Sequence, residues 1–124
     1  MSNQKKILVV DDEEDIQKLL KIRLEQESFA VITAGDGEAG IKAAELEMPD
    51  LIILDIMMPK MDGYTCLKEI RKIQKIKDTP ILMLSGKEEE KVRDLFAFQK
   101  ISGYMEKPFE LDDLVSKIKE ILKI

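Results

Sequence analysis

Three apolar runs, Ile7-Leu8-Val9-Val10, Leu51-Ile52-Ile53-Leu54 and Ile81-Leu82-Met83-Leu84, punctuate this chain with no polar residue alternating inside them. Runs of this length and composition read as strands covered on both faces, the signature of a parallel sheet sandwiched between helices. The segments between them have helical spacing. Glu14 to about Gln26 carries Ile16, Leu19, Leu20 and Leu24 at that spacing, and about Glu38 to Glu47 carries Ile41, Ala44 and Leu46 and stops before Pro49. Further helices are predicted from about Tyr64 to Lys75, from about Glu88 to Lys100 and from Asp112 to Leu122, the last with Leu114, Val115, Ile118 and Leu122 inward. Two weaker strands, Phe29 to Thr33 and a short one near Gly103 to Glu106, complete the set. Strands and helices in strict alternation give right-handed crossovers, hence a parallel sheet with helices on both faces.

The ends of these strands are chemically unlike their interiors. Asp55 closes one run where another Val or Ile would be expected, Asp11-Asp12 close another, Ser85 follows the third and Lys107 follows the last strand. In open α/β sheets the crevice outside the carboxyl ends of the strands is where ligands bind. If the first and third strands are neighbours, three acids converge there. Two ionised carboxylates ~4 Å apart repel by roughly 4 kcal/mol at an effective dielectric of ~20, so the cluster calls for a cation. Mg²⁺ takes oxygen ligands, keeps several waters, and is held by one or two carboxylates plus phosphate oxygen. Asp55, flanked by a metal and a lysine, is placed to be an oxygen nucleophile toward phosphorus, with Ser85 and Lys107 binding the phosphoryl oxygens.

Composition removes several other chemistries. With 124 residues, the chain suits one core, and we expect a single domain over 1–124 with residues 1–5 as a short polar tail and no effector domain after it. No apolar stretch approaches the ~18 residues of a membrane span, and the polar start Met1-Ser2-Asn3-Gln4-Lys5-Lys6 has no signal-peptide character, so a cytoplasmic protein without membrane contact is expected. The chain has no histidine, which excludes His-based triads, phosphohistidine chemistry and most zinc or copper sites. Cys66 is the only cysteine; with no histidine to activate it, it reads as a small packing residue. A net charge of −5 argues against direct nucleic-acid binding by this domain.

Val9-Val10-Asp11-Asp12-Glu13, Asp55 through Asp62-Gly63, Leu84-Ser85-Gly86-Lys87 and Gly103-Tyr104-Met105-Glu106-Lys107-Pro108-Phe109, in this order and spacing, resemble the receiver domain of bacterial and archaeal response regulators over nearly the whole chain. The resemblance implies a flavodoxin-like, doubly wound (βα)5 sandwich with parallel strand order 2-1-3-4-5. It implies that Asp55 accepts a phosphoryl group from the phosphohistidine of a sensor histidine kinase or a histidine phosphotransfer protein. Asp11 and Asp12 would hold Mg²⁺ with Asp55 and the backbone carbonyl of Met57, while Lys107 would pair with the phosphoryl group and Ser85 would hydrogen-bond it. A cis Lys107–Pro108 bond and a switch in which Ser85 is drawn to the phosphoryl group and Tyr104 turns inward belong to the same resemblance. It implies a regulatory phosphoacceptor rather than an enzyme. Its output is a reshaped binding surface for a downstream protein, in a monomer or a phosphorylation-dependent dimer. Such a domain acts by binding, by passing its phosphoryl group onward, or as a fragment of a longer regulator.

Other readings compete with this one. A receiver-like interaction scaffold that is never phosphorylated is the alternative, and the complete set of acids, Ser85 and Lys107 argues against it. A haloacid-dehalogenase-type phosphatase needs a second acid two residues after its nucleophile, where this chain has Met57; flavin binding is opposed by the acidic first loop. Residue by residue, Asp11 and Asp12 could be helix N-caps, Ser85 could cap the following helix, and Asp62-Gly63 reads as turn chemistry. Met57, Met58 and Met61 read as loop packing, and the charges from Lys87 to Arg93 as a solvated helix face. Two departures from the common family pattern are Lys100-Ile101 in place of Gly-Ala, which removes a glycine C-cap, and Gly86 in place of alanine, which loosens the loop after Ser85. Positions 57 and 87 flank the attacking-water route in the family.

Overall fold

The structure, a computed structural model, describes residues 4–86 and 101–124. Its elements in chain order are β1 (Lys6–Val10), α1 (Glu14–Gln26), β2 (Ala30–Ala34), α2 (Gly37–Glu47), β3 (Leu51–Asp55), α3 (Gly63–Lys72), β4 (Ile81–Ser85), β5 (Gly103–Glu106) and α4 (Leu111–Leu122). The helix expected over 88–100 lies outside the described residues, as does Lys87. The strands form one five-stranded sheet in the order β2-β1-β3-β4-β5, every pairing parallel. This is the flavodoxin-like arrangement expected from the sequence, and it makes β1 and β3 neighbours.

Alternation along each strand divides the core in two. Leu8, Val10, Ile52, Leu54, Ile81 and Met83 face one side with Ala44, Cys66, Leu67 and Ile70 of α2 and α3. Ile7, Val9, Leu51, Ile53, Leu82 and Leu84 face the other with Leu20 and Leu24 of α1 and Leu114, Val115 and Ile118 of α4. Both faces of the three central strands are therefore sealed, which is why their sequences lack polar alternates. Cys66 is buried in this packing, and burial pushes its thiol up to about 12, so it is an inert core residue as expected. On the α1 and α4 side, Arg23 meets Asp112 and Lys119 donates to Glu27 at 3.0 Å, tying the two helices together at the surface.

Several boundaries differ from the sequence-based expectation for identifiable reasons. The second strand runs one residue later, because Ala30 to Ala34 is the stretch in register with Lys6 to Val10. Helix α3 ends at Lys72 instead of Lys75: Ile73 turns to extended backbone, and Arg71 Nη1 donates to the carbonyls of Lys77 at 2.9 Å and Thr79 at 2.8 Å. That wrap delivers Ile76 into the core. Leu19 and Leu46 have helical spacing but lie outside, 47% and 80% exposed, because each helix buries a narrower stripe than the pattern offers.

Candidate functional site

The site forms where the sheet outlasts its strands. Beyond the strand ends the hydrogen-bond ladder continues: Asp11 N–H donates to Ala34 O at 3.1 Å, Ile56 N–H to Leu84 O at 3.0 Å and Lys107 N–H to Ser85 O at 2.7 Å. Asp11, Asp55 and Lys107 thus stand on backbone still held by the sheet. The period of two aims all three toward the face occupied by Val9, Ile53 and Met105. The Lys107–Pro108 peptide bond is cis, as the resemblance implies.

Ligand atoms of Asp11, Asp12 and Asp55 lie within 4.8 Å of one another, the convergence expected from the sequence. Asp11 is fully buried and Asp55 is 2% exposed, whereas Asp12 faces solvent. Lys107 Nζ stands 3.2 Å from Asp11 Oδ2 and 3.4 Å from Asp55 Oδ1, with the exposed Glu13 carboxylate at 3.9 Å. Asp11 Oδ1 accepts the Glu13 N–H at 2.9 Å, and Asp55 Oδ1 accepts the Met57 N–H at 3.4 Å. Neither Asp11 nor Asp12 caps α1: that position belongs to Glu13, whose side chain makes no capping bond. The donor set is all hard carboxylate oxygen with one open, solvent-facing side, which fits Mg²⁺ and not a soft or imidazole-seeking metal.

Electrostatics at this centre are unbalanced. Burial, then the nearby Asp11 charge, push the Asp55 carboxyl up to about 6, although Lys107 and the Met57 N–H oppose the rise. For Lys107 burial works to lower the value, but Asp55 and Asp11 together outweigh it and hold the ammonium above the ordinary lysine value. Among the described residues, one cation serves two buried acids.

Ser85 is 1% exposed at the end of β4, its hydroxyl 3.3 Å from the Gly86 carbonyl. Tyr104 is partly buried against the cluster that holds Met83. It does not stand beside Ser85 at the strand ends: it is in register with Met83, and Ser85 is in register with Glu106. Ser85 and Tyr104 nevertheless share a sheet face, on the diagonal. Met57 is 73% exposed, so it is not loop packing, whereas Met58 is 8% exposed and Met61 packs on the core. Gly86 has no positive φ, and among the described residues nothing stands within 4 Å of its Cβ direction.

Two contributors escaped sequence reasoning. Asp62 does more than turn the chain: its carboxylate accepts the Thr65 N–H at 2.8 Å and caps α3. Gly63 does not adopt a positive φ; it is required by close approach, since a Cβ there would lie 2.4 Å from Asp55 O and 2.7 Å from Ile56 Cα. Its N–H donates to Ile56 O at 2.8 Å, so the loop after Asp55 is folded back onto the strand end. The Asp-Gly pair at a short distance from Asp55 was the available signal, but a turn motif explains itself locally and hides a tertiary contact. Gln17 is the other: its Nε2 donates to the Asp11 carbonyl at 2.5 Å.

The family profile described as Response regulator receiver domain matches residues 7–119. The chain is 49% identical over 119 residues to the alkaline phosphatase synthesis transcriptional regulatory protein PhoP of Bacillus subtilis, covering 96% of this chain and 49% of that protein. It is 33% identical over 120 residues to the DNA-binding dual master transcriptional regulator RpaA of Synechocystis, covering 95% of this chain and 49% of that one. The chain spans about half the length of these relatives. Among solved structures it is similar to the chemotaxis protein CheY4 of Vibrio cholerae, with TM-score 0.90, 30% identity and 95% and 98% of the two chains covered. A response regulator of Chloroflexus aurantiacus superposes with TM-score 0.89 at 30% identity over 98% of this chain and 100% of that one. With the acidic centre at the sheet edge and these matches over nearly its full length, the chain belongs to the response regulator receiver domain family of two-component systems.

Two outcomes follow from the geometry. Gly63→Ala forces a methyl group into the backbone of Asp55 and Ile56 and should destabilise the fold by about 1–3 kcal/mol in urea unfolding. Asp55→Asn should stabilise the metal-free protein at neutral pH. The folded Asp55 value is raised from 3.8 to about 6, so its favourable contribution is complete below the unfolded value and is lost as pH rises through about 6. In EDTA, the stability gap between Asp55→Asn and wild type should therefore be small near pH 4 and grow to at most about 3 kcal/mol at pH 7.

Proposed function

We propose that this domain is a phosphoacceptor: Asp55 takes a phosphoryl group from the phosphohistidine of a sensor histidine kinase or a histidine phosphotransfer protein, and the domain then presents an altered binding surface to a downstream protein. The observation that carries this is a carboxylate buried at a strand end with an ammonium 3.4 Å away and two further acids beside it. An Asp55 carboxylate oxygen attacks phosphorus as the phosphorus–nitrogen bond of the donor breaks, and the departing imidazole takes up a proton. In this reading Lys107, 3.4 Å from Asp55 Oδ1, neutralises the phosphoryl oxygens, and the Ser85 hydroxyl donates to one of them. Mg²⁺, held by Asp11, Asp12, Asp55 and the Met57 carbonyl, would supply charge neutralisation at the transferring group.

Phosphorylation replaces one carboxylate charge with about −1.5 to −2 charges and three strong acceptors. Ser85 and Tyr104 share a sheet face, so movement of the Ser85 hydroxyl toward those oxygens frees space on the side where the Tyr104 ring packs. Packed interiors turn such small shifts into discrete alternatives. In this reading the single domain is regulatory rather than enzymatic and works in the cytoplasm, as a monomer or a phosphorylation-dependent dimer. The net charge of −5 is consistent with protein partners rather than nucleic acid for this domain.

Incubation with acetyl phosphate and Mg²⁺ should add one hydroxylamine-labile phosphoryl group, seen by intact mass, that is lost in Asp55→Asn and in EDTA. In parallel, beryllofluoride should shift the amide resonances of residues 101–107. Undiminished labelling of Asp55→Asn would refute the assignment, and absence of labelling under all donors would favour the unphosphorylated scaffold.

A further inference from the structure

Asp12 presents a difficulty for the acidic centre. Asp11 is buried and pinned by Lys107 Nζ and by the Glu13 N–H, and Asp55 by Lys107 and the Met57 N–H. Among the described residues, nothing bonds the Asp12 carboxylate, which stands exposed on a loop with only its backbone to hold it. The reach of that carboxylate therefore depends on the Asp11–Asp12 peptide from which its side chain springs.

The backbone is held on both sides of Asp11, in the peptide before it and in the Asp11–Asp12 peptide itself. On one side the Asp11 N–H is tied to β2 through Ala34 O. On the other, the Asp11 carbonyl accepts from Gln17 Nε2, a side chain reaching back from the first turn and a half of α1. The helix itself is anchored close by, since Gln17 N–H donates to Glu13 O at 3.1 Å. Gln17 thus ties the loop that bears two of the three acids to a rigid element whose Leu20 and Leu24 are buried in the core. Its amide nitrogen, not its oxygen, must face the carbonyl, because two acceptors would repel.

We propose that Gln17 is a positioning residue of the acidic centre: by fixing the Asp11–Asp12 peptide it sets the spread of the carboxylates, and affinity for a divalent cation depends on a side chain that does not touch the ion. This rests on the reading of the acidic centre as a Mg²⁺ site. Outer partners that orient metal ligands typically change affinity by about 10–100-fold when removed. Gln17 acts on the ligands' backbone and not on the carboxylates themselves, which places its effect at the lower end of that range.

The test is titration calorimetry of Mg²⁺ into the metal-free protein, comparing wild type with Gln17→Met, which keeps the length of the side chain and removes the donor. Gln17→Leu serves as a second donor-free variant should the first fold poorly. Urea unfolding in EDTA is recorded for each. Mg²⁺ dissociation constants raised by about 10-fold in the donor-free variants are expected, with the amide resonances of Asp12 and Glu13 displaced. Wild-type affinity in a variant whose unfolding midpoint alone has dropped would show that Gln17 is merely structural and would overturn the proposal while leaving the metal site intact. If wild type itself binds no Mg²⁺, the metal reading falls and takes this proposal with it.

Discussion

The ammonium of Lys107, 3.2 Å from Asp11 and 3.4 Å from Asp55, is the contact on which the site end of this molecule depends. Both carboxylates are almost wholly removed from water, and a buried charge without a partner is disfavoured by several kcal/mol. Strand order decides which residue can supply that partner. In the sequence β2-β1-β3-β4-β5, Lys107 follows β5 while Asp55 ends β3, two strands away, and Asp11 follows β1, three strands away. With neighbouring strands about 4.8 Å apart, a cation from β5 must cover roughly 10 Å or more to meet those acids. A long, flexible stem with a compact charge at its end does this, which is what lysine provides.

Among the described residues, one ammonium faces two buried carboxylates and a third beside them. The raised Asp55 value has burial as its first cause and this surplus of negative charge, through Asp11, as its second. In the proposed function this imbalance is what couples the residues: a divalent cation would relieve it, and a transferred phosphoryl group would restore a demand for positive charge that Lys107, 3.4 Å from Asp55, would meet. Gly63 and Gln17 hold the two acid-bearing loops against the sheet while this happens, one by letting backbone approach backbone, the other by a single hydrogen bond. A switch from 1:99 to 99:1 needs about 5.5 kcal/mol of differential interaction.

What could be read from the chain alone was whatever writes itself as a local pattern. Uninterrupted apolar runs revealed the three central strands, since burial on both faces leaves no polar alternate, and the acids ending those runs stood out against that background. The same logic failed at the margins. Leu19 and Leu46 fit helical spacing, yet the width of a buried stripe depends on what packs over it and cannot be seen in one helix. The end of α3 is set by Arg71 reaching the Lys77 and Thr79 carbonyls, a choice between two ways of satisfying backbone that spacing does not encode. Gly63 looked like half of a turn because Asp-Gly is a turn pair, while the atoms that require a glycine there belong to Asp55 and Ile56. Gln17 carried no signal at all: a glutamine on a polar helix face is unremarkable until the carbonyl it bonds is known.

Asp55 ionises in a buried centre beside Asp11, with Lys107 as the counter-ion the two acids share. Carbon-detected NMR of the Asp55 carboxyl, titrated from pH 3 to pH 9 without divalent cation in wild type and in Lys107→Met, tests it directly. An apparent midpoint of about 6 is expected in wild type, with a clear upward displacement in Lys107→Met, where both acids lose their partner. A wild-type midpoint near the ordinary value of about 3.9, or one that Lys107→Met leaves in place, would contradict it.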